Sequence, residues 1–133
     1  MIQMNNIMIQ INTVINNQYL YILLLFILFD IITGTLKAFS NNTVYSKISK
    51  QGITSHITLF LFSFFFTLVF SFFNVNEYSN ILLLFYIVSY GLSIIENVGA
   101  MGIPIPKWLK DKFILLQEET NKGVDNDENE RNK

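Results

Sequence analysis

Three stretches of the chain are almost wholly apolar, over residues 19–39, 53–73 and 79–98. A helix needs about 20 such residues to cross the hydrocarbon core of a bilayer, and each stretch has that length. Short polar connections at 40–52 and 74–80 separate them. Ahead of the first stretch, Ile2, Met4, Ile7, Met8, Ile11, Val14 and Ile15 recur at helical spacing, with Asn5, Asn6, Asn12, Asn16 and Asn17 filling much of the rest. This pattern predicts an amphipathic helix over residues 1–18 lying on the membrane surface; a frayed arm is the plainer alternative. After the third stretch, Gly102-Ile103-Pro104-Ile105-Pro106 stops any helix, because proline lacks the N–H donor and clashes with the preceding turn. Pro106 suits the first position of a new short helix ending near Leu116. In it Trp108, Leu109, Phe113 and Leu116 are apolar while Lys107, Lys110 and Lys112 are basic, as expected of a segment along the inner membrane surface. Residues 117–133 are polar and acid-rich, cannot bury a core, and are expected to lack fixed structure. The predicted fold is an all-α membrane protein in one unit: three transmembrane helices, an N-terminal amphipathic helix and a short C-terminal interfacial helix.

Each apolar stretch is interrupted by a polar line on one face. Asp30, Thr33, Gly34, Lys37 and Ala38 follow the i, i+3, i+4, i+7, i+8 pattern in the first. Ser63, Thr67, Ser71 and Asn74 do nearly the same in the second, with His56 further along towards the inner end. In the third the line is Tyr86, Ser89, Ser93, Glu96 and Asn97. Serine and threonine stripes often only hold helices together, and Gly34 with Ala38 is spaced for close backbone approach. Asp30 asks for more, since a carboxylate near mid-membrane costs at least about 2.5–3.5 kcal/mol on insertion scales and marks a functional site by default. Lys37 and Glu96 fall at similar depths and are expected to pair, within one bundle or between neighbouring subunits.

Composition sharpens this picture. Hydrophobic residues make up 51% and charged residues only 14% of the 133-residue chain, against about 25% charged in soluble domains. Net charge is −1, so no basic field points to nucleic acid as a partner. The chain has no cysteine, which removes disulfides, thiolate metal sites and cysteine nucleophiles. His56 is the sole histidine and reads as an interfacial residue rather than a ligand. No phosphate-binding loop or nucleophile elbow is present. Neither an enzyme nor a cofactor is expected. The first 18 residues hold no Lys or Arg, so a cleaved signal peptide is not expected.

Charge also sets an expected orientation. Lys47 and Lys50 lie in the first connection, Glu77 alone in the second, and Lys107, Lys110 and Lys112 follow the third stretch. The positive-inside rule then puts the N-terminus outside and the C-terminus in the cytoplasm. Three helices are too few to enclose a wide aqueous path. Several copies with their polar lines facing one another would line one, which points to a homo-oligomeric hole-former in the lipid bilayer. A membrane-embedded regulator or accessory subunit, packing against a partner and opening nothing alone, is the alternative.

Two linked blocks carry a family resemblance. Phe29-Asp30-Ile31-Ile32-Thr33-Gly34-Thr35-Leu36-Lys37-Ala38, followed by Ser46 and Lys50-Gln51-Gly52-Ile53, resembles the D-x-x-T-G-x-x-K-A … S … K-x-G segment of phage lysis holins, the group that includes clostridial toxin-secretion holins. Phe85-Tyr86-Ile87, Gly91-Leu92-Ser93-Ile94-Ile95-Glu96-Asn97 and Gly102-Ile103-Pro104-Ile105-Pro106 look like that family's second block. Ser89-Tyr90 stands where the family often has Asn-Glu, and Thr54-Ser55-His56 where basic residues often follow. The resemblance implies a protein that accumulates in the host cytoplasmic membrane and opens lesions at a set time, letting an endolysin reach the cell wall without direct contact. The positions it matches are Asp30, Thr33, Gly34, Lys37, Ser93, Glu96 and Asn97.

Overall fold

A computed structural model describes the backbone over residues 2–40 and 46–131, and the side chains over 6–40 and 52–122. Within these every regular element is a helix: α1 (Ile2–Ile15), α2 (Gln18–Ser40), α3 (Ser46–Phe72), α4 (Asn76–Ala100) and α5 (Lys107–Arg131). Three helical stretches are long and apolar enough to cross a membrane, Gln18–Ser40, Gly52–Phe72 and Asn76–Ala100. They agree with the expected spans to within about three residues, the usual uncertainty of helix ends. The first connection is shorter than expected, because helix begins at Ser46; residues 41–45 and the side chains of Lys47 and Lys50 lie outside the described residues.

Helices α2 and α4 pack most closely and run parallel, since Asn17 meets Asn80 at one end and Lys37 meets Asn97 at the other. Helix α3 returns between them in the opposite sense, with His56 at the level of Asp30 and Ser71 at the far end beside α1. The centre is apolar: Leu20, Leu23, Ile27, Leu83 and Ile87, joined by Val14 of α1. Buried positions of α4 step by four, Ser79, Leu83, Ile87, Gly91 and Ile95, which is one ridge of a helix surface. Most other large apolar side chains face outward, among them Leu25, Phe29, Leu61, Phe65 and Phe73. Such a coat suits lipid and not water. The α3–α4 turn is tight: Asn74 takes a positive φ of 56°, tolerated by asparagine, and the Val75 N–H donates to Phe70 O.

Two segments depart from expectation. Helix α1 is amphipathic as predicted, yet it packs against α3: Val14 is buried, and Ser71 Oγ donates to Gln10 Oε1 at 2.5 Å. Helix α5 does not stop near Leu116 but continues to Arg131, where a tail without fixed structure was expected. Gln117, Glu118, Glu119 and Lys122 are good helix formers, and polarity alone does not end a helix that has a neighbour to pack on. Here the neighbour is α4; residues 132–133 lie outside the described chain.

Candidate functional site

The half of the three-helix bundle nearer the C-terminal ends of α2 and α4 contains a polar layer built from all three spans. On α2, Asp30, Thr33, Gly34 and Lys37 share a face by helical periodicity and turn towards α4. Asp30 is only 7% exposed. Its Oδ1 accepts from Asn97 Nδ2 at 3.2 Å, and Asn97 Oδ1 accepts from Lys37 Nζ at 3.1 Å, so one amide bridges a carboxylate and an ammonium. Gly34 lies beside that amide: a Cβ placed there would meet Asn97 Nδ2 at an ordinary contact distance of 3.6 Å. Thr33 Oγ1 donates to the Asp30 carbonyl at 3.2 Å.

From α3, His56 closes the other side. Its Nε2 stands 3.8 Å from Asp30 Oδ2, too long for a hydrogen bond but close enough for strong charge–dipole attraction, and its Nδ1 is 2.9 Å from the Tyr90 hydroxyl. One proton arrangement satisfies every group: Tyr90 O–H donates to Nδ1 while Nε2–H points at the carboxylate. Lys37, Asn97, Asp30, His56 and Tyr90 thus form one continuous chain of polar contacts, in which the buried carboxylate is opposed by a cation and two dipoles.

A second, uncharged set lies towards the other end. Asn17 Nδ2 donates to Asn80 Oδ1 at 3.0 Å, and Ser79 Oγ to Asn76 O at 2.7 Å. Thr67 Oγ1 donates to Ser63 O at 2.8 Å, while Ser63 Oγ is fully buried with no hydrogen-bond partner. Such an orphaned hydroxyl is unusual in a settled bundle.

Of the expected site residues, Asp30, Thr33, Gly34, Lys37 and Asn97 are therefore brought together, and Ala38 is half-buried beside them. Ser63, Thr67 and Ser71 are buried as a separate line under α1. Within one chain Lys37 does not pair with Glu96: one residue is about 100° of helix turn, which puts Asn97 against α2 and leaves Glu96 exposed. Ser93 is half-buried, and Ser89 Oγ donates to its own helix at Phe85 O. Lys107, Trp108, Lys110 and Lys112 are exposed on α5. His56 and Tyr90 were not expected at the centre. Their signal was spacing: His56 is seven residues before Ser63 on the α3 line, and Tyr90 seven before Asn97 on α4. Among the described residues no cluster of three or more His, Cys, Asp or Glu is placed to hold a metal ion.

A bundle of three apolar spans, coated for lipid and holding its polar groups inside, defines a small polytopic membrane protein. Comparison with known sequences gives the family. The profile of the bacteriophage holin family matches residues 9–118, and the chain belongs to that family, whose members permeabilise membranes and are not enzymes. A probable holin of Bacillus phage phi105 is 27% identical over 112 residues, covering 84% of this chain and 83% of its own length. An uncharacterized 14.9 kDa protein of Clostridium perfringens is 31% identical over 96 residues, covering 71% and 73%. The uncharacterized protein YqxH of Bacillus subtilis strain 168 is 27% identical over 110 residues, covering 82% and 79%. No solved structure matches the chain.

Proposed function

We propose that copies of this chain gather in the host cytoplasmic membrane and open unselective lesions through which a cytoplasmic endolysin, or a large toxin, escapes. The observation that carries this reading is the polar chain from Lys37 through Asn97 and buried Asp30 to His56 and Tyr90, in a family of membrane-permeabilising proteins. A static anchor has no use for a carboxylate, an ammonium and an imidazole between apolar spans, where leucine packs as well and costs nothing. In the closed state these groups satisfy one another within one chain. In the open state they face water along a wall made by several copies. No direct contact with the released protein is needed. The distribution of lysines supports an N-terminus outside and a C-terminus in the cytoplasm.

Inducible expression in a bacterium, with a muralytic enzyme co-expressed in the cytoplasm, tests this. The membrane potential should collapse abruptly, and culture density should then fall. A membrane-embedded regulator would accumulate in the membrane and leave both unchanged, and that result would replace the proposal.

A further inference from the structure

Helix α5 folds back along α4, and its position there is at odds with its charges. Ile105 lies against Gly99, Phe113 against Gly91 and Gln117 against Ser89, a steady antiparallel course. The Phe113 ring fills the space that any side chain at position 91 would need, because a Cβ on Gly91 would overlap it. At about 1.5 Å per residue, Gly91 lies roughly 13 Å along α4 from Ala100. That is close to the midplane of a core about 30 Å thick. Beyond Phe113, α5 carries Glu118, Glu119 and Lys122, all exposed. With α4 inserted and α5 docked, these charges stand at mid-bilayer depth with no partner among the described side chains, an arrangement that is costly in lipid.

The segment between the helices is built to bend. Gly102 has a φ of +82°, Pro104 and Pro106 cannot extend α4, and residues 103–106 are not helical. The outward surface of α5 is built for a second resting place, with Lys107, Lys110 and Lys112 beside the 69%-exposed Trp108. Lysines with an interfacial tryptophan suit an anionic phospholipid surface.

We infer that α5 is a hinged arm with two positions: docked over Gly91 and Ser89 of α4, or swung down at 102–106 onto the anionic face of the membrane, which uncovers Gly91 for close packing against another copy. The second position rests on the proposed hole-forming function, since a glycine face between spans is where membrane helices approach most closely. The docked position keeps that face covered.

The chain has no cysteine, so Ser89→Cys with Gln117→Cys creates a unique pair in the full-length protein. A short reducible bis-thiosulfonate should bridge the pair efficiently in detergent, and vesicles rich in phosphatidylglycerol should lower the yield several-fold more than phosphatidylcholine vesicles do. A yield that anionic vesicles leave unchanged, or no bridge at all, overturns the arm. Protein bridged before reconstitution should retain vesicle dye and, once reduced, release it at the rate of the same double variant that was never bridged. Release by the bridged form at the reduced rate also overturns it. Phe113→Ala, which removes the docking ring and leaves the three spans intact, should speed release; slower release counts against the arm. If even the unsubstituted chain holds back dye, the hole-forming function fails, while the bridging yields still decide the arm.

Discussion

Replacing Asn97 by leucine removes the amide that ties Lys37 to Asp30 and keeps the side chain's volume. Two hydrogen bonds go, at 3.1 and 3.2 Å. In soluble proteins hydrogen bonds to charged groups contribute about 1.5–3 kcal/mol each. Between membrane helices polar contacts average about 0.6 kcal/mol and reach about 1.7, because the separated helices also find partners. The membrane range governs here. Half-buried Lys37, near the C-terminal end of α2, belongs at its low end, and Asp30, 7% exposed, at its high end. The closed bundle should therefore lose about 2 kcal/mol, or about thirtyfold in its ratio to the opened form. On induction, potential collapse should come earlier than with the unsubstituted chain at equal membrane abundance, and unfolding in detergent should show the same destabilisation. A double-mutant cycle with Lys37→Met should return a coupling of about 0.6 kcal/mol. If Asn97→Leu instead delays or abolishes collapse while the protein stays folded and inserted, the amide serves the wet path and not the closed bundle, and the reasoning is refuted.

Ser63→Ala removes the orphaned buried hydroxyl and should stabilise the bundle by about 1 kcal/mol in detergent unfolding; a loss of stability would show that the hydroxyl has a partner. Gly34→Ala should be accepted, because its Cβ meets Asn97 at an ordinary 3.6 Å, and helix propensity adds up to about 1 kcal/mol. Gly34→Leu should push Asn97 off Asp30 and reproduce the early collapse of Asn97→Leu; equal timing of the alanine and leucine variants would contradict this. For orientation, a membrane-impermeant maleimide added to intact cell-wall-stripped cells before collapse should label Glu77→Cys and not Lys107→Cys, and the reverse pattern would invert the proposed topology.

The three spans were legible in the sequence because hydropathy over some twenty residues integrates a strong signal that no local choice can cancel. The faces were legible too. Asp30, Thr33, Gly34 and Lys37 do lie on one side of α2, and Ser63, Thr67 and Ser71 on one side of α3. Partner identity was not. Periodicity fixes which residues share a face on one helix, but the rotation of two helices about their axes decides whether Asn97 or Glu96 meets Lys37, and a step of one residue changes the answer. The fate of α5 was hidden for a different reason. Its acid-rich composition argues against a buried core, but a helix laid on a neighbour needs only one modest face, here Phe113, Gln117 and Thr120. His56 was read by its distance from the end of the span, whereas its ring reaches inward to Asp30.

What holds such a bundle closed follows from the solvent. Leu20, Leu23, Ile27, Leu83 and Ile87 gain little by meeting one another in a medium as apolar as themselves, beyond the fit of their surfaces. The polar contacts carry the remaining preference for this arrangement, and among the described residues they include Lys37–Asn97, Asn97–Asp30, His56–Tyr90, Asn17–Asn80 and Gln10–Ser71. At about 0.6 kcal/mol each these five sum to only about 3 kcal/mol. No such group can be abandoned in lipid, so the helices do not simply drift apart. They can, however, exchange one partner for its equivalent on another copy at almost no net cost, and the balance then turns on concentration in the membrane. On the proposed function, each chain would satisfy itself below a threshold; above it, shared contacts would win and water would follow the charges. If that proposal holds, abrupt onset after gradual accumulation follows from the contact set, and halving the rate of synthesis should postpone collapse without making it gradual.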